Sequence, residues 1–247
     1  EMAKGDVALV TGASGGMGQA TVLRLLQDGF KVAGIDVNDK ALKEFGKKVG
    51  KKANLYKVDQ TNEAACRKIV KKIEKEMGPV SVLVNTIGWC GTTRFHEEDA
   101  AYWRKVIAIN YDAVLYITHP VLLGMIKQNR GKILNVASDA GRIGTSGEAV
   151  YAGTKGAVIA FSKSLARENA RYNVNVNCIA PGPTATPLLQ AEIDENPDLI
   201  KRMVRLIPFR RVGQPEDMAN AISFFCSKDS DYITGQVLSV SGGLTMV

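Results

Sequence analysis

The sequence predicts an α/β fold: one domain built on a doubly wound, seven-stranded parallel sheet with helices on both faces. Three observations predict it. Short, mostly apolar runs recur through the 247 residues, they alternate with segments of helical spacing, and the first run ends in the glycine-rich TGASGGMG. Strands that read as near-continuous apolar runs are buried on both faces, which calls for parallel pairing and covering helices. The prolines are scattered, with no Ser/Gly-rich linker and no internal period, so residues 1–247 are counted as one domain.

The elements follow in order. DVALVTG (6–12) is a strand that stops at glycine, and Met17, Ala20, Leu23 and Leu26 put a helical stripe on residues 16–28. KVAGID (31–36), NLYKVD (54–59) and VSVLVN (80–85) are the next three strands, each preceded by a helix-like segment. A long helix over about 99–127 leads into KILNVAS (132–138), the fifth strand. Residues 151–172 read as helix, VNVNCIAP (174–181) as the sixth strand, 215–227 as the last helix and QVLSVSGG (236–243) as the seventh strand.

Composition excludes several functions. The formal charge is +7, but the lysines of KEFGKKVGKK (43–52) and RKIVKKIEKE (67–76) alternate with helix-spaced apolar residues, the pattern of solvated helix faces. No recognition-helix or zinc-finger pattern accompanies them, so nucleic acid is not an expected partner. No apolar run approaches the roughly 18 residues that span a bilayer. EMAKGDVALVTG enters a strand almost at once, so neither a membrane anchor nor a secretory signal is expected. Cys66, Cys90, Cys178 and Cys226 lie far apart and, with only His96 and His119 beside them, make no metal site. Reduced thiols in a cytoplasm are the expectation.

In a doubly wound sheet, ligands collect at the carboxyl ends of the strands. After the first strand, Gly12, Ser14, Gly15, Gly16, Met17 and Gly18 form a turn whose bare backbone can approach a pyrophosphate. The helix that starts there offers unpaired N–H groups and its positive end. Asp36, with Val37 beside it, closes the second strand, and its carboxylate can accept from both ribose hydroxyls while repelling a 2′-phosphate. Residues 35–38 hold no Arg or Lys, so NAD(H) is expected over NADP(H). Asp59, followed by Gln60, either contacts the adenine edge or caps the helix beginning near Asn62. NTIG (85–88) offers Asn85 and a bare backbone at Gly88.

The fifth strand ends at Ser138, and Tyr151 and Lys155 follow in GEAVYAGTKG. Positions i and i+4 share a helix face, about 6 Å apart at Cβ. A free phenol has a pKa near 10 and is a poor base at neutral pH, whereas a neighbouring ammonium favours the phenolate. Lowering that pKa by about three units takes roughly 4 kcal/mol. Alone, a Tyr/Lys pair is commonplace; behind a strand-end serine and a glycine turn it reads as an acid/base device, with Ser138 holding the substrate oxygen.

The set TGASGGMG, Asp36, Asp59, Asn85/Gly88, Asn110, Ser138, Tyr151-AGT-Lys155 and PGPTAT (181–186) resembles the short-chain dehydrogenases/reductases, in family order over essentially the whole chain. The resemblance implies a Rossmann fold, hydride transfer with NAD(P), and a Ser138-Tyr151-Lys155 triad. It makes Asn110 a fourth catalytic member, holding a water that links Lys155 to solvent. It also sets Tyr151 and Lys155 against the nicotinamide ribose, and Pro181, Gly182 and Thr184 or Thr186 at the carboxamide. A homotetramer built through the long helices and the last strand is implied, with a hetero-oligomer as the alternative. Where the family usually has Asn-Asn-Ala-Gly, this chain has Asn85-Thr86-Ile87-Gly88, with a bulkier residue near the cofactor path.

Around the triad, VASDAGRIGTSGEAVYAGTKG, PGPTATPLL and ITGQVLSVSGGLTM are similar to the 2-hydroxycyclohexanecarboxyl-CoA dehydrogenases and related β-hydroxyacyl-CoA dehydrogenases. This implies NAD-dependent oxidation of a cyclic or aryl β-hydroxyacyl-CoA in anaerobic degradation of alicyclic or aromatic acids. The alternatives are a 3-oxoacyl-thioester reductase and a non-catalytic subunit of a hetero-oligomeric dehydrogenase. Residues 188–211 are the expected substrate lid, with Leu188, Leu189, Met203, Leu206 and Phe209 as apolar contacts. Lys201, Arg202, Arg205, Arg210 and Arg211 either hold coenzyme A phosphates or form a solvated helix face. Trp89 is a candidate wall of an acyl pocket, as is Trp103 unless it is helix core. Glu148 either orients substrate or bonds a loop amide, and Arg142 completes the candidate substrate set.

Overall fold

Each strand carries apolar residues on both of its faces, so each face must be covered. The computed structural model describes residues 5–195 and 198–247 and shows how. The chain runs β1 (Val7–Thr11), α1 (Gly16–Gln27), β2 (Lys31–Asp36), α2 (Asp39–Val49), β3 (Ala53–Lys57), α3 (Glu63–Met77) and β4 (Val80–Asn85). It continues through α4 (Ala100–Ile107), α5 (Ala113–Gln128), β5 (Gly131–Val136), α6 (Ala140–Ile143), α7 (Ala149–Asn169) and β6 (Val174–Pro181). It ends with α8 (Pro187–Glu195), α9 (Asp198–Leu206), α10 (Pro215–Cys226) and β7 (Val237–Val240).

The sheet has seven strands in the order β3-β2-β1-β4-β5-β6-β7, paired in parallel throughout. Alternate residues of one strand enter different layers. Leu9 joins Leu83, Ile133 and Val176 against Ile73 of α3 and Ile117 and Val121 of α5. Ala8 and Val10 join Val82 and Leu134 against Val22 and Leu25 of α1, Phe45 of α2 and Ile222 of α10. This is the period-two division of a two-faced core. Strand order reverses between β1 and β4, so a crevice opens at their carboxyl ends.

Under that crevice lies a chain of buried amides and hydroxyls. Asn85 Nδ2 donates to Asn135 Oδ1 at 2.8 Å and to Thr118 Oγ1 at 3.2 Å. Asn135 Nδ2 donates to Ser162 Oγ at 2.8 Å, and Thr11 Oγ1 reaches Asn85 Oδ1 at 3.5 Å. Every member is at most 1% exposed. Thr11, Asn85 and Asn135 are direct cross-strand partners, so the chain forms only in the observed register. It corrects one expectation: the Asn85 side chain is committed to holding strands and α7 together, not to a cofactor.

Several boundaries also differ from expectation. The helix expected over 99–127 begins with Asp99 capping Tyr102 N–H, then passes through a π-helical turn at Ala108–Asp112. Contrary to the run-length argument, Ala100–Gln128 is long and apolar enough, by length and composition, to span a bilayer. Its residues Ala113, Val114, Ile117, Val121 and Met125 are buried in this domain. The third strand stops at Lys57, two residues early, and the last is only Val237–Val240, because Gly242 and Gly243 take positive φ of 63° and 86° and turn the chain away.

The buried amide chain predicts a stability cost. Asn85→Ala leaves Asn135 Oδ1 without its donor, and should lower the unfolding free energy by about 2 kcal/mol or more, read as a shifted urea midpoint at constant slope. A change below about 0.5 kcal/mol would show that the chain does not hold the sheet.

Candidate active site

The glycine turn is built by close approach. A Cβ on Gly18 would stand 2.0 Å from Gly12 O, so only glycine lets α1 start against the end of β1. Gly15 is the N-cap and supplies no side-chain cap, which leaves the first-turn N–H groups of α1 to an external acceptor. Asp36 faces the turn: Oδ2 accepts from Ser14 N–H and Oδ1 from Asn38 N–H, both at 3.0 Å. The aspartate therefore both pins the turn and keeps further lone pairs on each oxygen for ribose hydroxyls. A backbone cradle with a carboxylate beside it fits a dinucleotide. Val37 is exposed next to it.

At the end of β3, Asp59 is exposed, and its Oδ1 accepts from Thr61 N–H and Oγ1. It does not cap α3; Asn62 does, through Ala65 N–H. Gln60 is buried. After β4, Thr86 Oγ1 donates to Thr11 O at 2.6 Å. Gly88 lies beside two groups at once, because a Cβ there would meet Asn110 Oδ1 and Lys155 Nζ, each at 3.2 Å.

The acid/base residues converge beyond β5. Tyr151 sits in the first turn of α7, which begins two residues earlier than expected, and Lys155 follows one turn on. Lys155 is 3% exposed; its Nζ donates to Val136 O at 3.0 Å and lies 5.7 Å from the centre of the Tyr151 ring. Burial pulls its pKa down from 10.5 to about 8, opposed by the nearby Cys90 and Cys178 thiols. Ser138 is half-buried and its Oγ accepts from Ala140 N–H at 3.1 Å. Asn110 is fully buried in the π-helical turn: Oδ1 accepts from Trp89 N–H, and Nδ2 donates to Trp89 O and Val106 O. It thereby clamps the Gly88–Trp89 backbone against Lys155.

A cavity of about 330 Å³ brings the two halves of the prediction together. Met17, Pro181, Gly182, Thr184 and Thr186, expected for the cofactor, line it with Ser138, Glu148 and Tyr151. From the expected lid come Leu189, Met203 and Leu206. Residues 196–197 and the Leu188 side chain lie outside the described residues.

Three candidates for substrate contact are elsewhere. Arg142 Nη1 donates to Ser239 Oγ at 2.8 Å and to Val237 O, so it ties α6 to β7. Trp89 packs its ring under Lys105 Nζ at 3.7 Å and against Tyr102. Trp103 is half-buried, not core; it stacks on Phe95 and donates to Glu98. Among the lid cations, Arg211 makes a two-pronged pair with Asp217, Arg210 donates to Arg205 O, and Lys201 pairs with Asp198. Arg202 and Arg205 are exposed on α9. Sequence reasoning missed Cys90, Asp139, Ile143 and Thr245 in the cavity wall. Asp139 could have been found as the neighbour of Ser138; the tail residue carried no signal.

Known proteins share this arrangement. Residues 12–245 match the family model described as enoyl-(acyl carrier protein) reductase. The chain is 37% identical over 238 residues to acetoacetyl-CoA reductase of Shinella zoogloeoides, covering 96% of this chain and 97% of the relative. It is 35% identical over 246 residues to 3-oxoacyl-(acyl-carrier-protein) reductase of Vibrio cholerae, covering 99% of each. A solved structure of a variant actinorhodin polyketide ketoreductase with NADPH superposes with a TM-score of 0.93 at 29% identity, over 97% of both chains.

The buried ammonium predicts a pH signature. A depressed pKa of this size corresponds to ~3 kcal/mol of penalty on the charged form, partly offset by the bond to Val136 O. Lys155→Met should therefore raise the melting temperature by roughly 2–6 °C at pH 7. Between about 8 and 10.5 the unfolded chain holds a proton that the folded lysine has released, so wild-type stability rises with pH there. The advantage of the variant should shrink over that window in calorimetric scans.

Proposed function

Because the chain belongs to the short-chain dehydrogenase/reductase family, as an NAD(P)-dependent oxidoreductase, we propose that it reduces 3-oxoacyl thioesters to 3-hydroxyacyl thioesters reversibly, with NAD(H) as its cofactor. The observation that carries the reading is the single cavity in which Ser138 and Tyr151 stand among the residues expected to hold the cofactor. The substrate class is supported by two relatives, an acetoacetyl-CoA reductase and a 3-oxoacyl-(acyl-carrier-protein) reductase, which align over at least 96% of the chain. NAD(H) is favoured because Asp36 would face a 2′-phosphate, and neither residues 11–18 nor 35–38 contain an Arg or Lys to oppose it.

When bound, the nicotinamide would carry the hydride to or from the substrate carbon. Gly12 to Gly18, Asp36, Lys155 and the 181–186 segment would hold it. Ser138 Oγ would donate to the substrate oxygen and fix it beside Tyr151. The Tyr151 phenol would give its proton to that oxygen as the ketone becomes an alcohol, and take one back in the reverse direction. Lys155, with a pKa near 8, would steady the phenolate and return a proton near neutral pH. Asn110 would hold the Gly88 backbone beside Lys155 where a solvent proton can enter. The lid, α8 and α9, would close apolar side chains over the acyl group and exclude water.

Oxidation of a cyclic or aryl β-hydroxyacyl-CoA is the second reading. It is favoured by Asp36, because NAD+ is the usual oxidant of degradative routes. Arg202 and Arg205 remain for coenzyme A phosphates, whereas Arg211 is engaged with Asp217. The reading places the enzyme in a cytoplasm, where its four free, buried cysteines stay reduced. It also makes the enzyme a homotetramer, with exposed Leu123 on α5 and Leu238 on the edge strand β7 as contacts.

Steady-state rates with 3-oxoacyl and 3-hydroxyacyl thioesters, each with both cofactors, test the proposal. NAD(H) should win by more than tenfold, and Asp36→Asn should narrow that ratio at least tenfold, since the swap removes the charge while keeping one acceptor. A wild-type preference for NADPH above tenfold would refute the cofactor assignment. Tyr151→Phe should lower kcat by several orders of magnitude with cofactor affinity nearly intact; a mild loss would place the proton elsewhere.

A further inference from the structure

The cavity contains a second polar pair that takes no part in the chemistry assigned above. Asp139, one residue past Ser138, is 5% exposed, and Thr245, in the tail after β7, is 7% exposed. Both line the cavity with Tyr151. Asp139 Oδ1 accepts a 2.5 Å hydrogen bond from Ser239 Oγ, which in turn accepts from Arg142 Nη1. Its other oxygen, Oδ2, has no hydrogen-bond partner among the described residues, and neither has Thr245 Oγ1. Thr245 is held through its backbone, with N–H donating to Ser241 Oγ at 3.2 Å, so the tail does not use this hydroxyl for its own fold. Buried polar atoms without partners are costly and uncommon, and each calls for a physical reason.

We propose that Asp139 Oδ2 and Thr245 Oγ1 form a specificity subsite for a hydroxyl or amide carried by the acyl group of the substrate. Such a group donates to the carboxylate and accepts from the threonine hydroxyl, completing both atoms at once. The subsite rests on the thioester reading and deepens it. Around the pair the walls are apolar, from Ile143, Leu189, Met203 and Leu206, so polar discrimination falls on these two side chains. A plain acyl chain would leave both atoms desolvated and unpaired, the situation in which a site rejects an analogue lacking its polar group. A carboxylate-tipped chain would be repelled by Asp139.

A nicotinamide cofactor also carries hydroxyls and an amide, so the experiment separates the two sources. Four 3-oxoacyl thioesters matched in length (plain, hydroxylated, amide-bearing and carboxylate-tipped) are assayed with wild type, Thr245→Val, Asp139→Leu and Ser239→Ala. Wild type should favour the hydroxylated or amide-bearing chain over the plain one by tenfold or more in kcat/KM. Thr245→Val and Asp139→Leu should bring that ratio towards one by improving the plain chain. Ser239→Ala, which removes only the partner of Oδ1, should keep the preference. Cofactor affinity from fluorescence titration should stay within twofold in Thr245→Val. No preference in wild type overturns the subsite, as does a tenfold weaker cofactor in Thr245→Val with an unchanged substrate ratio. If Asp139→Leu does not fold, Thr245→Val decides. If no thioester is turned over, the thioester reading has failed, and the subsite is judged on a hydroxylated and a plain ketone that are.

Discussion

Hydrogen bonds inside the sheet, not apolar contact alone, set the geometry on which this molecule depends. Apolar burial is non-directional and would tolerate a slipped strand nearly as well as a correct one. The amide chain from Thr11 through Asn85 and Asn135 to Ser162 does not tolerate it, since its donors and acceptors meet only when the three strand ends are level. Ser162 also belongs to α7, the helix that carries Tyr151 and Lys155. The same buried polar groups that align the strands thus fix the height of the acid/base pair above them.

The site uses burial in two opposed ways. Lys155 is destabilised as an ammonium by the apolar surroundings that make its proton exchangeable near neutrality. Asp36 is kept at the surface of the crevice and bonded to backbone N–H groups, where a charge is readily borne. One group is meant to change protonation and the other to hold it. Position in the sheet decides which: Asp36 ends a strand near the rim, and Lys155 reaches inward from a helix to Val136 O.

Much of this was legible in the sequence because it is local. The bounds of β2, β4 and β6 agree residue for residue with KVAGID, VSVLVN and VNVNCIAP, since apolar runs punctuated by turn residues encode strands directly. The Tyr151–Lys155 pair follows from helix periodicity, and Asp36 from its place at a strand end. What was not legible depends on partners far along the chain. Asn85 looks like a loop residue at the mouth of a site until its neighbours at 118 and 135 are known. Arg142 looks like a substrate cation until Ser239 is seen beside it, and Thr245 joins the cavity only because β7 returns the tail there. The arginines near 210 were ambiguous for the same reason: Asp217, which engages Arg211, sits on another element.

The π-helical turn at Ala108–Asp112 has a consequence for how the chain can vary in length. Such a turn is, in effect, one residue inserted into an α-helix. Deleting a single residue there would restore regular winding, yet it would rotate everything downstream by about 100°. Ile117, Val121 and Met125 would then leave the core, and Thr118 would swing away from Asn85. Insertions and deletions elsewhere in this helix meet the same obstacle from the other side. The segment is therefore locked in residue count as well as in residue identity, and related chains are expected to align through it without gaps.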